Sequence, residues 1–153
     1  MIRVQHEDFD IGAEIARLKR GRTDIGAIVS FIGTVRDQMG AVDEMLLEHY
    51  PGMTEAELAK IEEEAGARWP LQASLIVHRT GRLLPGDNIV LVITASEHRD
   101  AAFDAARFLM DYLKTRAPFW KRETGKEGSR WVEATAGDTA ATARWTKPKR
   151  AAE

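Results

Sequence analysis

The segment NIVLVITASEHRDAAFDAARFLMDYLKTRAP, residues 88–118, places a strand pattern directly before a long helix pattern. Asn88 to Ala95 is a β-branched, apolar run of strand length. The apolar residues that follow repeat at helical spacing and are Ala102, Ala106, Leu109 and Leu113, widened by Phe103 and Met110. We predict that Ser96 caps this helix, that it continues to about Arg116, and that Pro118 ends it. The fold is therefore built from strands and at least one long amphipathic helix.

Shorter strand and helix patterns lie on both sides of this segment. Strands are predicted at residues 2–5, 25–32, 45–50, 71–78 and 130–134, with no element assigned to residues 119–128. Asp10 is predicted to cap a first helix, and Thr54 with Glu57 forms a capping box that would open a second. The strands on either side of Pro85-Gly86-Asp87 are joined by turn residues, which favours antiparallel neighbours. We therefore predict an α+β fold, a single domain with a mixed or antiparallel sheet and flanking helices.

Length and composition bound the class of protein. The 153 residues are the size of one domain, with 44% hydrophobic residues, 30% charged residues and a formal net charge of -2. These values are typical of a soluble globular protein and lack the basic balance of a nucleic-acid binder. No apolar run approaches the ~18 to 20 residues that span a bilayer, and no secretory signal is visible, so we expect a cytoplasmic protein without membrane contact. We expect the domain to span residues 1–134 and the C-terminal tail, 135–153, to be largely disordered, in particular beyond Trp145.

The chain contains no cysteine and only four histidines. The absence of cysteine excludes disulfides, thiolate metal sites and a cysteine nucleophile or persulfide carrier in this chain. The histidines show no metal-ligand spacing, so we predict no metal site, and no cofactor motif is present. A core or surface position is the better interpretation of His6, His49 and His78. If sulfur chemistry takes place here, another molecule must bring the sulfur.

Charged residues are segregated along the chain. Residues 43–64 contain eight acidic residues and one lysine, whereas residues 107–126 contain six basic and two acidic residues. The basic segment follows the predicted helix end and surrounds Phe119-Trp120. Its members there are Lys114, Arg116, Lys121, Arg122 and Lys126. This segment is the natural site for an anion. The alternative is a solvated helix end whose cations complement the helix dipole.

Three further groups are weaker candidates for a site. His98-Arg99 lies in the first turn of the long helix, where free N–H groups favour a phosphate or carboxylate, unless it is simply a surface pair. Gly33-Thr34-Val35-Arg36 follows a strand but lacks the remainder of a phosphate-binding loop. Phe31, Met110 and the Phe119-Trp120 pair could wall a pocket for a flat heterocycle or a peptide tail. A strand Phe and a helix Met are, however, usually core residues.

Six stretches of the sequence together resemble one known family. They are Phe31-Ile-Gly-Thr-Val-Arg36, residues 47–55, His78-Arg-Thr-Gly81, Pro85-Gly-Asp87, His98-Arg99 and residues 110–123. In this order, from about residue 25 to Val132, they closely resemble the large subunits of molybdopterin synthase, the MoaE family. The last stretch is the most diagnostic. The resemblance implies an α/β-hammerhead-like architecture, which agrees with the α+β prediction.

The resemblance also implies a sulfurtransferase with partner chains. Two large subunits would form a central dimer within a heterotetramer. Each would bind a small, ubiquitin-like sulfur-carrier subunit that ends in Gly-Gly as a thiocarboxylate. The tail of the carrier would enter a pocket of the large subunit and deliver sulfur twice to cyclic pyranopterin monophosphate, which forms the dithiolene of molybdopterin. The absence of cysteine agrees with this division of labour.

Carried over residue by residue, the resemblance implies two catalytic lysines, Lys114 and Lys121. The implied substrate contacts are Thr34, Val35, Arg36, His98, Arg99, Lys114, Lys121, Arg122 and Glu123. Phe31 and Met110 would line the channel for the carrier tail. Thr135 departs from the pattern, because some relatives carry an arginine shortly after the Trp131-Val132-Glu133 stretch. One anion contact is therefore absent or replaced.

The chemistry of Lys121 suits this role. Neighbouring cations and partial desolvation would lower the pKa of Lys121, so that its amine could act as a general base or nucleophile. Positive charge would also hold the phosphate and stabilise the oxyanion that forms during transfer. Two rivals from other classes remain: a non-enzymatic α+β module that binds an acidic protein tail or nucleic acid, and a hydrolase of another phosphorylated metabolite. Only the synthase would depend on a thiocarboxylated carrier.

Overall fold

A computed structural model describes residues 1–132 and 135–146, which form eight strands and four helices. The strands are β1 (Ile2–Gln5), β2 (Ala27–Thr34), β3 (Glu44–His49), β4 (Leu71–Arg79), β5 (Gly81–Leu83), β6 (Asn88–Ser96), β7 (Phe119–Gly125) and β8 (Gly128–Val132). The helices are α1 (Ile11–Lys19), α2 (Met53–Arg68), α3 (Arg99–Thr115) and α4 (Ala136–Thr146). None of these helices is long and apolar enough to cross a membrane.

The strands divide between two four-stranded sheets. The first has the order β1-β4-β6-β2 and is mixed, because β1 runs parallel to β4 while the other pairs are antiparallel. The second has the order β5-β3-β7-β8 and is antiparallel throughout. The predicted α+β class, the mixed and antiparallel pairing and the antiparallel β4–β6 neighbours are therefore confirmed. The division into two sheets was not predicted.

The two central strands of the first sheet, β4 and β6, are buried on both faces. Leu75 and Val77 of β4 pack with Leu91 and Ile93 of β6 beneath α1. The intervening residues of β4, such as Ile76, point to the other face, where α2, α3 and the second sheet share one core. Burial on both faces explains why β4 and β6 are continuous apolar runs rather than alternating ones.

The pairing of β7 with β3 decides which side chains of the second sheet face this shared core. Leu47 of β3 is buried in the core and lies directly opposite Lys121 of β7. Cross-strand partners point to the same face, so Lys121 also points inward, as do Phe119 and Glu123 two residues to either side. Arg122 is directed to the opposite face.

Helix α3 begins two residues later than predicted. Strand β6 continues through Ser96, which pairs with both Ala27 and Leu71, so Ser96 belongs to the sheet and cannot cap the helix. Its hydroxyl donates to the carbonyl of Pro70 at 2.9 Å. His98 is the N-cap residue instead, and α3 then runs without interruption to Arg116 at its C-cap, as predicted.

The predicted capping box of α2 is also displaced. The helix begins after Gly52, whose positive φ of 85° suits glycine, and the Gly52 N–H donates to Glu55 Oε2 at 2.7 Å. Glu57, the predicted capping partner, accepts instead from Arg116 at the end of α3. The buried positions Leu58 and Ile61 agree with the predicted apolar face.

The C-terminal part of the structure differs most from the prediction. Residues 119–125, which had no assigned element, form β7, because they complete the ladder between β3 and β8. Residues 136–146 lie in the segment expected to be largely disordered, yet they form α4. Trp145 anchors this helix, since its ring packs edge-on against Trp69 and Phe108 and its Nε1 donates to Asp111 at 2.6 Å. Glu133, Ala134 and residues 147–153 lie outside the described residues.

Thr54 ties the start of α2 to the turn before β7, and its loss should destabilise the protein. The fully buried hydroxyl accepts from the Tyr50 N–H and donates to the Pro118 carbonyl, each at 3.1 Å. Thr54→Val keeps the shape but leaves both backbone groups without that partner, so the free energy of unfolding should fall by about 1–3 kcal/mol in urea denaturation. The same change at the exposed Thr23 is the control and should stay within ~0.5 kcal/mol. Equal effects at the two positions would contradict this role of Thr54.

Candidate active site

A cavity of about 180 Å³ lies where the two sheets, the end of α3 and the start of α4 meet. Its lining combines cationic, polar and apolar side chains. They are His78, Met110, Leu113, Lys114, Ala117, Phe119, Lys121, Val132, Thr135 and Asp138. Both predicted catalytic lysines and one of the two predicted channel residues, Met110, are thus brought to one place.

The two lysines reach the cavity from different elements. Lys114 projects from the last turn of α3, and Lys121 from the inward face of β7. Burial lowers the pKa of Lys121 below its ordinary value, and the charge of Lys114 lowers it further, while Asp138 and Glu123 oppose the shift. Because its ammonium is destabilised, Lys121 loses its proton and becomes a neutral amine more readily than an exposed lysine does.

The start of α4 contributes a carboxylate that the sequence analysis did not select. The Thr135 N–H donates to Asp138 Oδ2 at 2.9 Å, and the Asp138 N–H donates to the Thr135 hydroxyl oxygen at 3.1 Å. The hydrogen bond from the Thr135 backbone is the main cause of a lowered Asp138 pKa, and the charges of Lys114 and Lys121 add to it. The Thr-x-x-Asp spacing is a capping pattern that could have indicated both α4 and this carboxylate.

His78 was interpreted from sequence as a core or surface residue, and it lies at the cavity with only 2% of its surface exposed. Its Nδ1 donates to the carbonyl of Arg79 at 2.8 Å, since a carbonyl oxygen can only accept. Its ring stacks on Phe119, with centroids 3.7 Å apart and planes 16° from parallel. Burial lowers the pKa of His78 to about 3, and nearby Lys121 and His49 contribute. The imidazole is therefore neutral at physiological pH.

The predicted contacts along β2 do not line this cavity. Phe31 is 41% exposed on a strand at the edge of the first sheet, and Thr34 and Arg36 are exposed at its end. Val35 is a core residue whose backbone bonds to Gly86 and Asp87, so its side chain is not available to a ligand.

Two residues that follow Lys121 are engaged with protein groups. The Arg122 guanidinium lies 5.8 Å from the centre of the Trp131 ring, on the face of β7 away from Lys121. Glu123 is 6% exposed, and its carboxylate accepts from Arg130 at 3.1 Å and from Gln38 at 3.4 Å. Glu123 therefore acts on the site chiefly through its charge, which favours the protonated form of Lys121.

His98 and Arg99 lie at the far end of α3 from the cavity. Their side chains are 82% and 85% exposed. The helix between them and Lys114 is continuous, so a rise of ~1.5 Å per residue separates His98 from Lys114 by about 24 Å along the axis. The structure of one chain therefore does not bring them to the lysines.

Comparison with known proteins identifies the family. The sequence model described as "MoaE protein" matches residues 4–116. The chain belongs to the MoaE family. A molybdopterin synthase catalytic subunit from Mesorhizobium japonicum is 58% identical over 94% of this chain and 92% of its own length. The solved MoaE protein of Burkholderia ambifaria is 55% identical, with a TM-score of 0.83 over 97% of this chain and 99% of that one. Molybdopterin synthase from Staphylococcus aureus is 32% identical, with a TM-score of 0.77 over 85% and 95%.

The structure shows what Thr135 does in this chain. Its hydroxyl and N–H hold Asp138 at the cavity, as described above. An arginine at this place would add a cation, whereas Thr135 helps to place an anion beside two lysines. The charge balance of this MoaE cavity therefore depends on α4.

Two of the charged neighbours of Lys121, Lys114 and Asp138, should shift its pKa in opposite directions. Lys114→Met removes a positive charge and should raise the pKa of Lys121, whereas Asp138→Asn removes a negative charge and should lower it. An NMR titration of the Lys121 side chain with isotope-labelled lysine measures both. Lys126→Met, an exposed cation outside the cavity lining, is the matched control and should leave the titration unchanged. Shifts of the same sign in the two cavity variants would contradict this electrostatic arrangement.

Proposed function

We propose that this chain is the catalytic subunit of a molybdopterin synthase and transfers sulfur from a partner to cyclic pyranopterin monophosphate. The sulfur comes from the C-terminal thiocarboxylate of a small, ubiquitin-like carrier subunit. In each transfer a C–S bond forms at a substrate carbon and a C–O bond at that carbon breaks. In one transfer the departing oxygen is that of the cyclic phosphate, which opens, and in the other it leaves as water. The C–S bond to the carrier then breaks. Water supplies the oxygen that converts the C-terminus of the carrier to a carboxylate. Two transfers give the dithiolene.

The observation that carries the proposal is the position of Lys121. This lysine is largely buried beside Lys114 in a cavity of a MoaE-family chain, and burial lowers its pKa. Its amine is suited to accept a proton or to attack, and Lys114 adds positive charge for an oxyanion or phosphate. Since the chain contains no cysteine, the sulfur must arrive on another molecule.

The size of the cavity supports delivery by a peptide tail. At about 180 Å³ it is smaller than the roughly 300–1,000 Å³ of sites that enclose a drug-sized ligand. Two glycines without side chains, extended over about 7 Å, match such a narrow space. Met110 lines the cavity with a flexible apolar side chain, as proposed for the channel.

A second copy of the chain completes the proposed site. His98 and Arg99 stand exposed at the N-terminus of α3, where free N–H groups and the helix dipole favour a phosphate. They are too far from Lys114 to serve the same bound substrate within one chain. We therefore place them at the lysine cavity of the other large subunit, across the two-fold axis of a homodimer within the heterotetramer.

The delivery model predicts strict dependence on the carrier. The protein alone should form no dithiolene from cyclic pyranopterin monophosphate, and addition of thiocarboxylated carrier should start product formation. The measurement is product formed per subunit, with the carrier in its carboxylate form as the matched control. Equal rates with free sulfide would contradict delivery. Turnover of a phosphorylated substrate without any carrier would instead indicate a hydrolase.

The shared site predicts that two inactive chains restore each other. One chain carries His98→Ala and Arg99→Ala, and the other carries Lys114→Ala and Lys121→Ala. Each should be inactive as a homodimer, because every site lacks one half of its residues. A mixed dimer has one intact site of two, so random reassortment should restore roughly a quarter of the wild-type sites.

Subunit exchange is verified with differently tagged chains before activity is measured. The control is a mixture of Lys114→Ala/Lys121→Ala chains carrying the two tags, which should stay inactive. If exchange is complete and no activity returns, the two groups of residues act within one chain and the two-fold arrangement is wrong.

A further inference from the structure

His78 presents a hydrogen-bond acceptor that the lysine chemistry does not use. The Arg79 carbonyl holds Nδ1 as the protonated nitrogen, so Nε2 carries a lone pair. Among residues 1–132 and 135–146, Nε2 has no hydrogen-bond partner, yet it is not sealed off by protein atoms. The side chain is 98% buried beside a cavity, so this lone pair can accept from a donor that enters the cavity, a water or a ligand group.

The ring of His78 is fixed in place as well as in its tautomer. Phe119 stacks on it from the second sheet, and the His49 ring is tilted by 31° against the same Phe119, with 6.5 Å between ring centres. The titratable groups that act on it are Lys121 and His49, and Lys121 in turn has Lys114 and Asp138 as neighbours. Because burial holds the pKa of His78 at about 3, the nitrogen stays an acceptor throughout the physiological range.

We propose that His78 Nε2 accepts a hydrogen bond from a backbone N–H of the Gly-Gly tail of the carrier, which makes His78 a positioning residue for the thiocarboxylate. This inference rests on the proposed function. A tail drawn into this cavity loses water from the N–H groups that it buries, and each of these needs an acceptor. The lysines of the cavity can only donate when charged, so His78 supplies what they lack. The cavity volume favours the peptide tail over the ring N–H groups of a whole pterin as the donor.

The first test uses the wild-type protein. Imidazole ¹⁵N NMR should show His78 with a protonated Nδ1 and a bare Nε2. Carrier in its carboxylate form should move the Nε2 resonance towards that of a hydrogen-bonded nitrogen and leave Nδ1 in place. A carrier truncated by its two glycines is the control and should leave Nε2 unchanged. His6, which lies outside the cavity lining, serves as the internal reference.

The second test separates carrier from pterin by kinetics. His78→Phe keeps a ring to stack on Phe119 but removes the acceptor, so KM for the carrier should rise about tenfold, as expected when a buried donor loses its partner. KM for the pterin substrate should not change. His78→Gln restores an acceptor and should recover part of the loss. An ester oxygen in place of a glycine N–H removes the donor. At the bonded position, this change should lower the affinity of the carrier for the wild-type protein. The affinity for His78→Phe, which is already reduced, should fall little further.

The outcomes distinguish this inference from the proposed function. If the wild-type protein does not bind the carrier at all, the proposed function fails and this inference fails with it. If the carrier binds and supports turnover without a change at Nε2, only the role of His78 is wrong. A rise in KM for the pterin instead of the carrier also overturns it. The NMR measurement uses the wild-type protein, so it tests the role of His78 even if His78→Phe does not fold.

Discussion

The ladder between β3 and β7 is the constraint on which the site depends. Register pairs Leu47 with Lys121 and His49 with Phe119, and it therefore directs Lys121 and Phe119 to the side of the shared core. A slip of one residue would turn Lys121 outward and bring Arg122 in, because side chains alternate along a strand. Thr54 supports this register from the side, since it binds the Pro118 carbonyl immediately before β7. A structural hydrogen bond thus helps to determine the environment of the proposed catalytic amine.

Burial of Lys121 has an electrostatic cost that the surroundings offset only in part. Desolvation and Lys114 disfavour the ammonium, whereas the carboxylates of Asp138 and Glu123 favour it. Each carboxylate is itself held by hydrogen bonds, Asp138 by Thr135 and Glu123 by Arg130 and Gln38. A carboxylate that fully neutralised Lys121 would keep this lysine as a cation. Without any carboxylate, its ammonium would be a buried charge with no counterion. The balance leaves the pKa of Lys121 below its ordinary value, so its ammonium gives up a proton more readily than that of an exposed lysine.

The general architecture could be predicted from the sequence, and the family resemblance selected two lysines that line the cavity, but most of the other residues of its lining were not selected. The strands β1, β2, β4 and β6 and the extent of α3 follow from local patterns of apolar residues, which burial makes strong. Strand β7 was missed because its inward side is polar where the cavity lies, so Lys121 and Glu123 interrupt the pattern of a strand. Helix α4 was missed because it has no buried residues and is anchored by Trp145, which packs on distant Trp69.

The same physical reason explains why His78 and Asp138 were not selected as site residues. His78 lies in a continuous apolar strand, where periodicity cannot tell the core from a cavity wall. Its position beside Lys121 arises only when the first sheet meets the second across the Phe119 ring. His98 and Arg99 illustrate the converse, because family resemblance indicated a site while the helix geometry separates them from the lysines.

The polar groups of the cavity are held in place before any ligand arrives. The Arg79 carbonyl orients His78, Thr135 holds the Asp138 carboxylate, and the β3–β7 ladder fixes the backbone of Lys121. The groups that hold these side chains are backbone atoms or, for Asp138, Thr135 at the start of the same helix. They therefore do not compete with a ligand for the same atoms. Preorganised polar groups need little rearrangement when charge develops, which is the main electrostatic advantage of an enzyme site over water. The arrangement therefore favours stabilisation of a reacting group within the cavity over loose capture of an anion at its surface.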